Sequence, residues 1–337
     1  MTWGIFFLSA LLIIAAGTKL SQYGDRIAEH SGLGRLWIGV VLLAGATSLP
    51  EVFTAVSAVL MDAPNLAVGD LFGAGLSNML TLALIDVAYR QKRVWQQAAL
   101  EQALIASLAV ILTGLAGLLI VVKQPFFSLN IGLGTVAIAL IYLLGMRVVF
   151  RQEGMRRRAE QLERVVEAEE AASDHPASRG ALKRAVAGFA LSSLGILVAA
   201  PLLAESAKEI AAETGISTTF IGTSLVAITT SLPELVTTFA AVRLGAFDLA
   251  VGNLFGSNAF NMAILLLADI AYRKGPLLGA VESTHAVTAF VGILLMSVGV
   301  MGIIYRAEKR FILIEPDSLL MIVGYVLGMW LLFRLGG

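Results

Sequence analysis

Two glutamates set deep in apolar sequence are the residues of this chain best suited to chemistry. Glu51 ends the pentapeptide Thr47-Ser48-Leu49-Pro50-Glu51, and Glu234 ends an identical one, Thr230-Ser231-Leu232-Pro233-Glu234. An ionised side chain within hydrocarbon is costly, so it marks a function and needs a partner. Because the two glutamates share one motif, each is the natural partner of the other. The prolines supply the second half of the argument. Without an N–H, Pro50 and Pro233 cannot bond the carbonyls near Ala46 and Thr229, and their rings disturb the turn before them. Carbonyls, hydroxyls and a carboxylate on one broken turn form a site for a hard cation, which takes oxygen ligands.

The pentapeptides belong to a larger internal repeat. With Glu51 laid over Glu234, segments 47–90 and 230–273 align without a gap and share 24 identities in 44 pairs. The later part of each copy also carries oxygen. Leu66-Ala-Val-Gly-Asp-Leu-Phe-Gly73 precedes Asn78, and Leu249-Ala-Val-Gly-Asn-Leu-Phe-Gly256 precedes Asn261. Asn78 and Asn261 are amides at one repeat position in apolar helices. They point at the glutamate pair, or else hydrogen-bond between helices. Gly69 and Gly73, with Gly252 and Gly256, are small residues four apart and serve close helix packing. Asp70, whose twin is Asn253, is either a carboxylate on the access path or a solvated acid at a helix start. Asp86 and Asp269 each lie four residues before an arginine, Arg90 and Arg273, and are expected to form interfacial ion pairs.

The elements that hold these residues are membrane helices. Of 337 residues, 58% are hydrophobic and 14% charged, which excludes a soluble protein of this length and defines a polytopic membrane protein. Cysteine is absent, removing disulfides, thiolate metal sites and cysteine nucleophiles together. His30, His175 and His285 fall in no ligand spacing. No pairing of nucleophile and base recurs or clusters, so an intramembrane enzyme is disfavoured. The apolar run 6–16 has no Lys or Arg before it and reads as a first span rather than a signal peptide.

Stretches long enough to cross about 30 Å of hydrocarbon fall at 3–20, 36–60, 65–88, 98–122 and 129–149, and again at 185–204, 219–242, 249–271, 277–304 and 314–335. The expected fold is therefore all-α, with ten transmembrane helices as two five-helix repeats: 1–150, a cytoplasmic linker at 151–184, and 185–337. An odd number of spans per repeat inverts the second copy, so the two broken turns run antiparallel and meet at the midplane. With the N-terminus outside, 19 of the basic residues fall on the cytoplasmic side and 5 outside, as the positive-inside rule requires, and both termini lie outside. Within the linker, 156–172 reads as a charged surface helix. Arg156, Arg157 and Arg158 suit the inner membrane face better than nucleic acid, because acids follow them at once.

At the level of motif, GATSLPE with GDLFGAGLSN and ITTSLPE with GNLFGSNAFN resemble the two alpha-repeats of the cation/calcium exchanger superfamily. They are most like its bacterial and archaeal sodium/calcium exchanger branch, with the motifs at about 45–80 and 228–263. The resemblance implies that Glu51 and Glu234 are the central calcium ligands. It implies calcium and sodium ligands at Thr47 and Ser48 and at Thr230 and Ser231, a sodium ligand at Ser257, and polar central positions at Asn78 and Asn261. Asp70 and Ser77 are weaker candidates. Two departures stand out. Where the family's first repeat carries GSN, this chain has Gly73-Ala74-Gly75, so Ala74 lacks a sodium-ligating hydroxyl; Ser77, about 4.5 Å further along the axis, is the candidate replacement. Where some members carry an acid, Asn261 is neutral.

These readings converge on an antiporter of the plasma or inner membrane exchanging calcium for sodium, with protons as the alternative driver and an uncoupled cation channel as the competing class. Its cargo is calcium and sodium, its surroundings lipid, and neither cofactor, nucleic acid nor protein partner is implied.

Overall fold

The computed structural model describes residues 2–31, 33–89, 100–123, 127–128, 131–168, 179–213, 229–305 and 316–336. They form an all-α polytopic fold of two inverted five-helix repeats. Among the described residues, eight helices are long and apolar enough to span a bilayer, and a further span is built from two pieces meeting at a 42° bend. The predicted span 219–242 is described only from residue 229 onward.

The chain opens with α1 (Thr2–Ser31), whose 30 residues rise about 45 Å, well beyond the predicted end at residue 20. Its buried strip includes Ile13, Ala16, Leu20, Gly24 and Ile27, spaced three or four apart. In a bilayer the outer face is equally apolar, so small residues rather than hydrophobicity mark the packed side. The second span begins with α2 (Arg35–Trp37), continues as π-helical turns (Ile38–Leu43) and α3 (Ala44–Thr47), breaks at Ser48, and resumes as α4 (Leu49–Leu60). Ser48 has φ −87° and ψ 8°, just outside helical geometry, and Pro50 lies in the first turn of α4, where a missing N–H is tolerated. The third span is α5 (Pro64–Ala88) and the fourth α6 (Leu100–Val122).

A short antiparallel pair, β1 (Phe127–Ser128) with β2 (Ile131–Gly132), leads into α7 (Leu133–Ala168). This helix starts four residues later than predicted and runs without interruption into the hydrophilic stretch, so the predicted surface helix is its continuation. Residues 169–178 lie outside the described set. The second repeat holds α8 (Arg179–Glu213), α9 (Leu232–Arg243), α10 (Phe247–Tyr272), a one-turn α11 (Leu277–Ala280), α12 (Thr284–Tyr305) and α13 (Pro316–Gly336). The predicted span 277–304 is thus two helices, because Val281 is extended at ψ 160° and breaks the chain between them.

The repeat register survives in three dimensions. In the register that lays Glu51 over Glu234, α4 and the start of α5 correspond to α9 and the start of α10. The two most enclosed spans are α5 and α10, which cross the centre carrying Asp70 and Asn78 on one and Asn253, Ser257 and Asn261 on the other. The π-helical turns lie backbone-to-backbone on α10. A Cβ at Gly256 would meet the Val40 carbonyl oxygen at 2.9 Å, and one at Gly39 would meet that of Leu249 at 2.7 Å. Gly252 packs against Val40 and Leu36 in the same seam, so this glycine pair serves close packing as predicted.

Polar links between repeats pin the ends of the bundle. Asn65 and Glu282 exchange two hydrogen bonds, from Asn65 Nδ2 to Glu282 Oε1 at 3.2 Å and from the Glu282 N–H to Asn65 Oδ1 at 2.8 Å. Nearby, Lys274 pairs with Asp62 at 2.7 Å. Asp248, the repeat mate of Asn65, accepts from Gln102 Nε2 at 2.9 Å.

Asp269 corrects a sequence expectation. It forms no ion pair with Arg273; fully buried, it accepts the Leu277 N–H at 2.7 Å, the Gly132 N–H at 2.8 Å and the Thr135 hydroxyl. Arg273 ends α10 in a left-handed conformation, φ 53°, which turns it away from the helical face that an i+4 pair would use. Asp86 accepts the Ser318 hydroxyl at 2.8 Å, and Ser318 is the repeat mate of Thr135. The last helix of each repeat is therefore fastened to the third helix of the other. Arg90 lies outside the described residues.

Candidate cation site

Each broken turn places the C-terminal end of one helical piece opposite the N-terminus of the next. Carbonyls of the first favour a cation, and amides of the second favour an anion. Glu51 and Glu234 occupy the first turns of α4 and α9, where that dipole supports a carboxylate, and each is 1% exposed. They are close enough for their charges to interact, and Asp70 acts on Glu51 as well.

The two repeats reach into each other through their threonines. Thr230 Oγ1 donates to Asp70 Oδ1 at 3.2 Å, and Thr47 Oγ1 lies 3.4 Å from Asn253 Oδ1. These contacts are one interaction seen twice, because Thr47 and Thr230 are repeat mates and so are Asp70 and Asn253. Thr47 Oγ1 also stands 3.0 Å from the Leu43 carbonyl and 3.2 Å from that of Ala44, tying the hydroxyl to the end of the broken helix. Asn253 is fixed from behind, its Nδ2 donating to the Thr237 and Thr238 hydroxyls at 3.1 and 3.0 Å.

Asp70 is therefore not a solvated helix-start acid. At 1% exposure it belongs to the buried centre, brought there because its helix crosses the middle of the bundle beside the second broken turn.

Ser48 Oγ donates to Glu234 Oε1 at 3.1 Å. Ser257 faces the same carboxylate, and its hydroxyl has no partner in full hydrogen-bond geometry among the described residues. Seven buried oxygens on the predicted site residues have no hydrogen-bond partner among the described residues: both of Glu51, Oε2 of Glu234, the hydroxyls of Ser231 and Ser257, and the amide oxygens of Asn78 and Asn261. Buried polar atoms are rarely left unpaired, and unpaired acidic oxygens are the costliest. Calcium takes six to eight oxygens, so the donor set suits a hard cation in number and kind. No three His, Cys, Asp or Glu side chains among the described residues could hold a metal alone. Neutral oxygens must complete any shell.

Ser77 stands apart from this group, next to the Tyr325 hydroxyl of α13. Ala74 is fully buried and contributes no side-chain oxygen. Asn258, Thr237 and Thr238 were invisible as contributors. Asn258 is the hub among them: it accepts from Asn78 Nδ2 at 2.8 Å and faces the Gly75 carbonyl with its own Nδ2 at 3.4 Å. The available signal was its repeat mate, since position 75 is glycine.

Antiparallel repeats crossing at two broken helices, with paired carboxylates and unpaired oxygens at the crossing, define a membrane transporter of the inverted-repeat class. The profile of the Sodium/calcium exchanger protein family matches residues 1–151 and 184–334, and the chain belongs to that family. It is 28% identical over 262 residues to the inner membrane protein YrbG of Escherichia coli, covering 78% of this chain and 77% of that one. Over 87 residues, 26% of this chain and 25% of the relative, it is 40% identical to the sodium/calcium exchanger MaX1 of Methanosarcina acetivorans. The sodium-calcium exchanger NCX_Mj, in a crystal soaked with 10 mM Na+ and zero Ca2+, superimposes with a TM-score of 0.70 at 22% identity, covering 98% of both chains.

Proposed function

We propose that the protein is a secondary antiporter exchanging calcium for sodium by alternating access, with the cation held at the midplane between Glu51 and Glu234. The observation that carries this reading is the pairing of two fully buried glutamates on twin broken turns, surrounded by oxygens with no hydrogen-bond partner among the described residues. Two facing carboxylates repel each other when bare and are neutralised by one divalent ion or by two monovalent ions. Occupation by one set excludes the other, and that exclusion is what couples opposed fluxes.

Thr47, Ser48, Thr230 and Ser231 supply hydroxyls and carbonyls at the breaks, Ser257 a further hydroxyl, and Asn78 and Asn261 amide oxygens. Asp70 adds a third negative charge through Thr230. Family membership supports sodium and calcium as the cargo, and no resident cofactor is required. Movement is assigned to α1 and α8, which slide as a pair against the core of α3–α5, α9 and α10. The protein sits in the plasma or inner membrane with both termini outside and 151–184 in the cytoplasm, a reading supported by the distribution of basic residues.

A second reading, proton-driven exchange, is favoured by one specific feature: Ala74 offers no hydroxyl where Ser257 does in the other repeat, and a proton needs a carboxylate but no coordination shell. The test is counterflow in sealed vesicles containing the purified protein. Sodium-loaded vesicles should take up calcium against a gradient, and Glu51→Gln should stop it. Uptake driven by a pH gradient and indifferent to sodium would favour protons; calcium flux without any opposing ion gradient would identify a channel and overturn the proposal.

A further inference from the structure

Asn78 and Asn261 are repeat mates, yet their surroundings differ. Asn78 Nδ2 donates to Asn258 Oδ1 at 2.8 Å, whereas neither amide atom of Asn261 has a hydrogen-bond partner among the described residues. The cause is a single position. Asn258 is the mate of Gly75, and its side chain reaches across the pseudo-two-fold axis toward the bare backbone of its own twin. A Cβ at Gly75 would stand 3.7 Å from Asn258 Oδ1. Glycine has no side chain with which to do for Asn261 what Asn258 does for Asn78.

The hydrogen-bond chain also fixes which way each amide points. The Gly75 carbonyl can only accept, so it must be met by the NH2 group of Asn258, at 3.4 Å. That leaves Asn258 Oδ1 facing Asn78, which must answer with its own NH2 group. Asn78 Oδ1 is then directed away from Asn258, buried and with no hydrogen-bond partner among the described residues. Reversing Asn78 would set oxygen against oxygen, so its polarity is imposed rather than free.

We propose that Asn258 is a positioning residue: through Gly75 it locks the Asn78 amide so that Oδ1 is presented permanently as a cation ligand, while Asn261, without such a lock, rotates to suit the ion it meets. The inference rests on the reading of Glu51 and Glu234 as the cation site and gives the two repeats different jobs. The first supplies a rigid ligand that favours the ion for which it is placed. The second supplies an adaptable one that tolerates both cargoes.

The experiment compares two substitutions of nearly equal shape, Asn258→Leu and Asn258→Asp, in the purified full chain, with equilibrium binding of radioactive calcium in sodium-free buffer. Leu removes the acceptor for Asn78, and affinity should fall about tenfold, the scale of one lost polar contact. Asp keeps the acceptor, and affinity should stay within about twofold of the parent or rise. In an Asn78→Ala background, Asn258→Leu should add no further loss. Equal losses in Leu and Asp variants would mean that Asn258 only packs, and an unchanged Leu variant would mean that Asn78 needs no lock; either overturns the inference. Glu51→Gln separates the two levels. If it abolishes binding while Asn258→Leu does not weaken it, the site stands and the inference fails. If Glu51→Gln binds like the parent, or the parent does not bind calcium, the site falls and the inference with it.

Discussion

Ser48 donates its hydroxyl to Glu234 at 3.1 Å across the repeat boundary, and the mirror bond from Ser231 to Glu51 is not made. The two halves of the site are thus related by sequence but not equally satisfied: Glu234 accepts a side-chain hydrogen bond, and Glu51 accepts none among the described residues. Hydrogen bonds to charged groups contribute about 1.5–3 kcal/mol. In ion-free protein, Ser48→Ala should therefore lower stability by about 1–2 kcal/mol, and Ser231→Ala should change it by less than about 0.5 kcal/mol. Thermal unfolding in chelator and sodium-free buffer reads both; equal shifts would remove the asymmetry.

Glu51→Gln and Glu234→Gln should each weaken calcium binding by about a hundredfold or more, equivalent to ~3 kcal/mol, because a single carboxylate is left to hold a divalent ion. Folding, monitored by gel filtration, should survive both changes, since Glu51 accepts no side-chain hydrogen bond among the described residues and a glutamine at 234 keeps an acceptor for the Ser48 hydroxyl. Near-normal calcium transport by either variant would falsify the central assignment.

Ala74→Ser restores to the first repeat the hydroxyl that Ser257 provides in the second. If the missing oxygen limits sodium binding, the sodium concentration giving half-maximal calcium efflux should fall severalfold, by about 1 kcal/mol of added ligand interaction. Strong sodium-driven exchange in the parent with no change in the variant would mean that another oxygen already serves.

Asp269 is a fastening between repeats, with two backbone amides and the Thr135 hydroxyl converging on it. Asp269→Asn turns an NH2 group toward donors and should cost about 2–4 kcal/mol. Thr135→Val should cost about 1–2 kcal/mol, and Arg273→Gln less than about 0.5 kcal/mol. A large loss on replacing Arg273, measured by thermal unfolding in detergent, would reinstate an ion pair.

The chain contains no cysteine, so one introduced at Ser173 reports topology directly. With the hydrophilic stretch in the cytoplasm, Ser173→Cys should resist impermeant thiol reagents in intact cells and react after permeabilisation. Ready labelling of intact cells reverses the orientation.

Much of this protein is fixed by one-dimensional information. Span positions follow from apolar length, the break at Ser48 from Pro50, and the pairing of Glu51 with Glu234 from the gapless repeat, because each is a property of local chemistry or of duplication. Partner choice is not such a property. Spacing along a helix names neighbours three or four residues away, and by that measure Asp269 belonged with Arg273; the structure gives it Gly132, Thr135 and Leu277, delivered by a hairpin and a short helix from elsewhere. Asp70 meeting Thr230, and Asn258 crossing to Asn78 and Gly75, join residues far apart in the chain and on opposite repeats. Such contacts exist only after two inverted repeats interlock about an axis that no segment contains. The sequence alone determined which oxygens the protein carries into the membrane. Tertiary packing decided which are used up in hydrogen bonds and which have no partner among the described residues, because a buried oxygen's partner is set by what lies across the axis from it.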